Sequence, residues 1–157
     1  MRLLVMAAAA VLVAATGGSG AFAQSPAQAQ SSSDWRTVSP ENLLVIDTAK
    51  GRILVELSPL AAPNHVERVR TLANQGFYDG PKFHRVIPNF MAQTGDVEFG
   101  KQDGDTSRAG MGGSDLPDLK AEFNAEPHRR GTCSMARAQS PDSANSQFFI
   151  CFDDARF

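Results

Sequence analysis

Arg85 and Gln93 stand in the stretch FHRVIPNFMAQTGD, Phe83 to Asp96, with Phe90 and Met91 between them. A guanidinium that never loses its proton, a neutral amide and two apolar side chains make a surface that donates hydrogen bonds beside a dry floor. Read as a strand, a Pro88-Asn89 turn and a second strand, the stretch puts alternate side chains on one face, so that Arg85 and Gln93 flank the patch of Phe90 and Met91. Downstream, SQFFIC from Ser146 to Cys151 repeats the theme, with Gln147 and Phe149 two apart and on one strand face. Such a surface suits a neutral, partly apolar ligand and lacks the parts for acid–base hydrolysis. Ser134, Ser140, Ser143 and Ser146 have no G-x-S-x-G around them, and no catalytic C-x-x-C is present. His65, His84 and His128 are too scattered for a metal site, so neither metal nor cofactor is expected. His84 is next to Arg85 on the strand, points to the other face and is expected to pack behind the sheet.

Short elements must hold these residues in place. Leu44 and Ile46, then Ile53, Val55 and Leu57, alternate with other residues on either side of Thr48-Ala49-Lys50-Gly51, which reads as a β-hairpin with Gly51 where positive φ is needed. Pro63 opens a helix whose apolar face is Val66, Val69, Leu72 and Ala73, and Gly76 ends it. Short strands are expected over 83–87, 90–94, 119–123, 132–136 and 147–151. Many short strands with one helix suggest a barrel or a curled sheet. The Gly-, Asp- and Ser-rich segment 97–118 contains AGMGGSD, yet it has no GK[ST] ending and no G-x-G-x-x-G, so it reads as a surface loop and not as a phosphate cradle. Cys133 and Cys151 fall on predicted neighbouring strands. A disulfide needs a suitable Cα separation, and two buried thiols are the preferred reading.

The start of the chain reads differently from the rest. Met1-Arg2 is followed by an apolar run from Leu3 to Ala15 that is short for a bilayer span, and Ala21-Phe22-Ala23 fits an A-x-A cleavage site. Residues 1–23 are therefore expected to be a secretory signal peptide, 24–41 a flexible Gln-, Ser- and Ala-rich linker, and 42–157 one domain. The protein would be exported, periplasmic or secreted, with no membrane attachment after cleavage. With 15 Lys and Arg against 17 Asp and Glu the formal charge is −2, and −3 without Arg2. That mild acidity gives no reason to expect nucleic acid or an anionic membrane as partner.

FHRVIPNFMAQTGD, with GFYDGPKFHRVI running into it and CSMARAQSPDSANSQFFICF after it, resembles the cyclophilin family of peptidyl-prolyl cis-trans isomerases. The resemblance runs from about Leu43 to the last residue. It implies a mainly β fold, a closed antiparallel eight-stranded β-barrel with capping helices. Residue by residue, it implies catalytic roles for Arg85 and Gln93 and pocket roles for Phe90, Met91, Ala136, Gln147 and Phe149. Arg137 stands where many eukaryotic members have Asn. Gly112 and Gly113 fall in a loop beside the groove for residues ahead of the proline, and Phe157 falls where the family has Trp or Phe at the rim of the proline pocket. The family's pattern continues beyond that point. The expectation here is thus a barrel reduced to about six or seven strands and one helix, with an open edge.

The residue types fit the implied chemistry. Rotation about an Xaa-Pro bond faces a barrier of about 18–20 kcal/mol because the nitrogen lone pair is delocalised into the carbonyl. In the twisted transition state the lone pair is localised, and a donor placed against it stabilises that state above either ground state. Arg85 is the expected donor, Gln93 the holder of Arg85 or of the substrate carbonyl, and Phe90, Met91 and Phe149 the dry pocket for the proline ring. Expected partners are proline-containing peptides and unfolded exported proteins. The other reading is a non-catalytic proline-peptide-binding module or an inactive remnant.

Overall fold

The computed structural model describes residues 36–105 and 107–155. The expected signal peptide, the linker up to residue 35, and Phe157 lie outside the described residues. Among the described residues there are six strands and one helix: β1 (Leu43–Thr48), β2 (Gly51–Glu56), α1 (Pro63–Asn74), β3 (Arg85–Ile87), β4 (Met91–Thr94), β5 (Cys133–Met135) and β6 (Phe148–Cys151), with a 3-10 turn at Pro40–Asn42 ahead of β1. The mainly β class and the count of strands are those expected from the sequence. Among the described residues no helix is long and apolar enough to cross a membrane.

β1 and β2 form the expected hairpin, paired from Leu43↔Glu56 to Thr48↔Gly51. Gly51 has φ of 134°, which a side chain would resist, and the Thr48 hydroxyl closes the turn by donating to the Gly51 carbonyl at 2.8 Å. Leu44 and Val55 face each other across the ladder and are both buried. They meet the buried stripe of α1, in which Val66, Val69, Leu72 and Ala73 recur at helical spacing. The helix ends as predicted. Gly76 takes φ of 76° and donates to Ala73 O at 3.1 Å, while Phe77 N reaches Leu72 O at 2.9 Å, the paired bonds of a Schellman close.

The start of α1 is less conventional. Pro63 sits at the first position, but Ala62 offers no side chain to the free N–H groups. Glu122 supplies the missing acceptor from a distant loop, taking the N–H groups of Asn64 and His65 at 3.1 Å each and facing His65 Nδ1 at 2.5 Å. This engagement explains a correction to the sequence reading. The strand expected over 119–123 does not form: Leu119 makes only an isolated bridge to Ala144, while Ala121 N binds the Asp142 carboxylate at 2.8 Å and Glu122 turns to the helix.

The other four strands form an antiparallel sheet in the order β3-β4-β6-β5, separate in hydrogen bonding from the hairpin. Phe148 on β6 joins Leu44, Val55, Val69 and Ala73 in the core, with Cys133, Met135 and Tyr78 packed against it. Tyr78 meets the Phe148 ring edge-on at 5.6 Å and donates to Ser146 O at 2.7 Å, which satisfies its hydroxyl as it is buried. Cys133 lies opposite Ile150, the neighbour of Cys151 on β6, so the two thiols project from opposite faces of the sheet. That arrangement fits two unbridged thiols. Burial raises both, Cys133 to about 12 with a further push from Cys151.

Candidate functional site

The face of the four-stranded sheet turned away from the core carries one cross-strand row. Arg85 on β3 lies opposite Gln93 on β4, Gln93 opposite Phe149 on β6, and Phe149 opposite Ser134 on β5. Directly opposed residues share a face. Met91, two positions from Gln93, sits on the same face and is almost fully covered, at 2% exposure. The hairpin turn between β3 and β4 makes this register possible. Pro88 leads into Asn89, whose φ of 61° is left-handed, and Phe90 N closes on Ile87 O at 3.1 Å. Phe152 N then donates to Phe90 O at 2.8 Å, which brings the end of β6 against the turn.

Arg85 is exposed and donates through Nη1 to Gln93 Oε1 at 3.2 Å. The pairing with Asp96 or Glu98 that would make Arg85 an ordinary surface cation is not formed, because Asp96 accepts backbone N–H groups instead. Gln93 Nε2 donates to Gln147 Oε1 at 2.8 Å, and Gln147 Nε2 donates to the carbonyls of Gly110 and Gly112 at 3.0 and 2.8 Å. Both N–H groups of Gln147 are thereby used on acceptors that cannot be reversed. Its oxygen must face Gln93, so the Gln93 oxygen must face Arg85.

Two adjoining cavities meet along this row. The larger, an open cleft of about 740 Å³, is lined by Arg85, Phe90, Met91, Gln93, Ala136, Arg137 and Phe149, and extends past Phe123 and His128 toward the helix and hairpin. The smaller, about 380 Å³, is lined by Gly110, Met111, Gly112, Gly113 and Gln147, and shares Gln93, Ala136 and Arg137 with the first. Of the residues singled out from the sequence, all that are described therefore line one cavity or both. The Ala136 N–H is taken by Gln147 O at 2.9 Å, which ties the end of β5 to the start of β6. Arg137 projects at the junction, donating to its neighbours' carbonyls at Ala138 and Gln139, 2.8 and 3.2 Å away, with its guanidinium 5.9 Å from the Phe123 ring.

Three contributors were not found from the sequence. His128 stacks on Phe149 at 5.7 Å, its ring tilted by 22°, and so backs the aromatic floor. Asn145 accepts both the N–H and hydroxyl of Ser114, at 2.8 and 2.7 Å, and anchors the glycine loop. Asp96 holds the other end of that loop. Their partners lie on a ring, a loop hydroxyl and backbone N–H groups far along the chain, and none of the three leaves a spacing signal in the sequence. The loop packs closely on Asn145, since a Cβ added to Gly113 would lie 3.1 Å from the Asn145 side chain.

The chain matches the family model described as cyclophilin type peptidyl-prolyl cis-trans isomerase/CLD over residues 43–157. It is 55% identical over 120 residues to a probable peptidyl-prolyl cis-trans isomerase of Brucella suis, covering 75% of this chain and 61% of that protein. A peptidyl-prolyl cis-trans isomerase of Helicobacter pylori is 43% identical over 111 residues, 69% of this chain and 62% of that one. Among solved structures, a cyclophilin from Hirschia baltica superposes with a TM-score of 0.65 at 32% identity, covering 78% of this chain and 62% of that one. A Cryptosporidium parvum cyclophilin type peptidyl-prolyl cis-trans isomerase, solved in the presence of the dipeptide Ala-Pro, gives 0.63 at 28% identity, over 73% of this chain and 70% of that one. The chain thus spans about three fifths of the length of the curated relatives it matches.

Proposed function

Because the chain belongs to the cyclophilin type peptidyl-prolyl cis-trans isomerase family, we propose that it accelerates rotation about Xaa-Pro bonds in exported proteins. The observation that carries this reading is the row Arg85–Gln93–Phe149 beside buried Met91. Phe90, Met91 and Phe149 form the apolar seat for a proline ring. Arg85, held at one Nη by Gln93, keeps further N–H groups free to meet the pyramidal nitrogen of the twisted bond. No proton need be transferred and no covalent intermediate formed, since the cis and trans states differ by only about 0.5–1 kcal/mol and the task is the barrier alone. Gly112 and Gly113 line the adjoining cavity without side chains, so a peptide backbone running ahead of the proline can approach closely.

Proline-containing peptides are the proposed ligands, which agrees with the Ala-Pro dipeptide present with the Cryptosporidium parvum relative. Unfolded exported proteins are the proposed clients. Export itself rests on the basic start, apolar run and A-x-A site in residues 1–23. A second reading, a proline-peptide-binding module without catalysis, is favoured by one observation: Arg85 is exposed, and a donor in contact with water stabilises charge less than a desolvated one.

Exchange NMR on a short Xaa-Pro peptide separates the two. The chain is expected to speed cis-trans exchange, and Arg85→Ala to remove about a hundredfold of that acceleration, as loss of one transition-state donor does. A folded Arg85→Ala variant that keeps the full rate ends the catalytic reading, and retained peptide binding would then support the module.

A further inference from the structure

Asp96 follows β4 by two residues and is fully buried, with 0% exposure. A carboxylate removed from water needs complete hydrogen-bond compensation. Asp96 has it entirely from backbone. Oδ1 accepts the N–H groups of Glu98 at 3.1 Å and Phe99 at 2.8 Å, closing the local turn. Oδ2 accepts those of Gly110 at 2.7 Å and Gly112 at 3.1 Å, reaching across to the glycine loop. Burial alone would raise this carboxyl, but the four donors outweigh burial and hold it below the ordinary range, so it stays ionised at neutral pH.

The loop is built around this carboxylate at distances that only glycine allows. A Cβ on Gly112 would stand 2.6 Å from Asp96 Oδ1, and one on Gly110 would stand 3.0 Å from the His84 ring on the loop's other side. The same two glycines turn their carbonyls to Gln147 Nε2. From there the bonds run without a break through Gln147 Oε1 to Gln93 Nε2, and through Gln93 Oε1 to Arg85 Nη1.

We propose that Asp96 is a positioning residue for isomerisation: by fixing Gly110 and Gly112 it sets the direction of the Gln147 and Gln93 amides, and through them the attitude of the Arg85 guanidinium. This rests on the reading of Arg85 as the transition-state donor. Each amide has two orientations of nearly equal shape, and in the rotated one Gln93 would turn its NH₂ toward the Arg85 guanidinium, donor against donor. What selects one orientation is the pair of loop carbonyls, and what places those carbonyls is Asp96.

The test compares the unmodified chain, Arg85→Ala and Asp96→Asn on one Xaa-Pro peptide. Asp96→Asn keeps the volume but turns one acceptor oxygen into a donor facing N–H groups. Expected is a loss of about tenfold in cis-trans exchange with peptide affinity within twofold, together with displaced side-chain NH₂ signals of Gln93 and Gln147. An ordinary structural lesion would lower affinity and rate together. If Arg85→Ala abolishes acceleration while a folded Asp96→Asn keeps rate and NH₂ signals unchanged, this proposal falls and the function stands. If Arg85→Ala leaves the rate intact, the function reading fails, and this proposal with it. Should Asp96→Asn not fold, the unmodified chain decides: through-hydrogen-bond couplings from the Gln147 NH₂ to the Gly110 and Gly112 carbonyl carbons are expected. Rapid water exchange of both Gln147 NH₂ protons would overturn the proposal.

Discussion

Arg137 and Arg85 line the same cleft but are held differently. Arg85 is tied to a neutral amide in the row, whereas Arg137 folds over its own loop carbonyls and the Phe123 ring, and among the described residues neither forms a salt bridge with a carboxylate. An unneutralised guanidinium beside a peptide cleft attracts an acidic side chain, by an amount that water keeps to about 0.5–1 kcal/mol. Peptides with Glu next to the Xaa-Pro pair are therefore expected to bind about two- to fivefold more weakly to Arg137→Ala, and peptides with Lys there no more weakly. Titrations at low and high salt check it, since the preference should fade as ionic strength rises. At this scale the sequence was informative where chemistry resides in side chains at strand spacing, as for Arg85, Gln93, Gln147 and Phe149. It was silent on Asp96, whose four partners are backbone N–H groups and whose hold on the site crosses a loop. His84, expected to pack behind the sheet, stands just before β3 and outside the strands. Both its ring nitrogens are buried without a hydrogen-bond partner among the described residues, and it packs instead on Gly110.

The start of α1 depends on a residue far along the chain. Glu122 serves as cap for a helix whose own Ala62 cannot, and four groups of Asn64 and His65 converge on its carboxylate. Burial would raise its carboxyl, but His65 and the Asn64 and His65 backbone donors together lower it to about 2 from 4.5. A carboxylate depressed in the folded state stabilises fully above its unfolded value. That stabilisation is lost as pH falls from 4.5 toward about 2. Glu122→Gln is expected to lose about 1–2 kcal/mol at neutral pH, the cost of a helix cap with its dipole interaction. Thermal melts followed by circular dichroism should show the gap between the two chains narrowing through that acid window; a gap constant from pH 7 to pH 2.5 would contradict the assignment. The same engagement explains why strand spacing misled over 119–123. Alternation predicts a strand wherever the backbone is free to pair, but here the side chains of Glu122 and Asp142 claim the backbone of other segments first. Where local chemistry alone decides, as at Gly51, Pro63 and Gly76, element boundaries were readable to within a residue or two.

At the scale of the molecule, one four-stranded sheet divides two tasks. Phe148, Cys133 and Met135 face inward with the hairpin and α1, while Arg85, Gln93 and Phe149 face outward on the cleft. The two cysteines fall on either side of that division. Cys133 lies in the core, and Cys151 stands opposite Met91 on the cleft face and is buried there. A disulfide requires Cβ vectors that point toward one another, which adjacent ladder positions on opposite faces deny. This matters because the proposed export would carry the chain into an oxidising compartment, where pairable thiols do pair. Intact mass measured after incubation in oxidised glutathione is expected to show no intramolecular bridge. Alkylation of both thiols should be slow in the native state, since burial holds them protonated, and fast in urea. Loss of two mass units from a natively folded sample would show that the sheet opens enough to bring the faces together. Slow alkylation that accelerates with urea in step with loss of peptide binding would instead show that core and cleft are lost together, as expected when one sheet supports both.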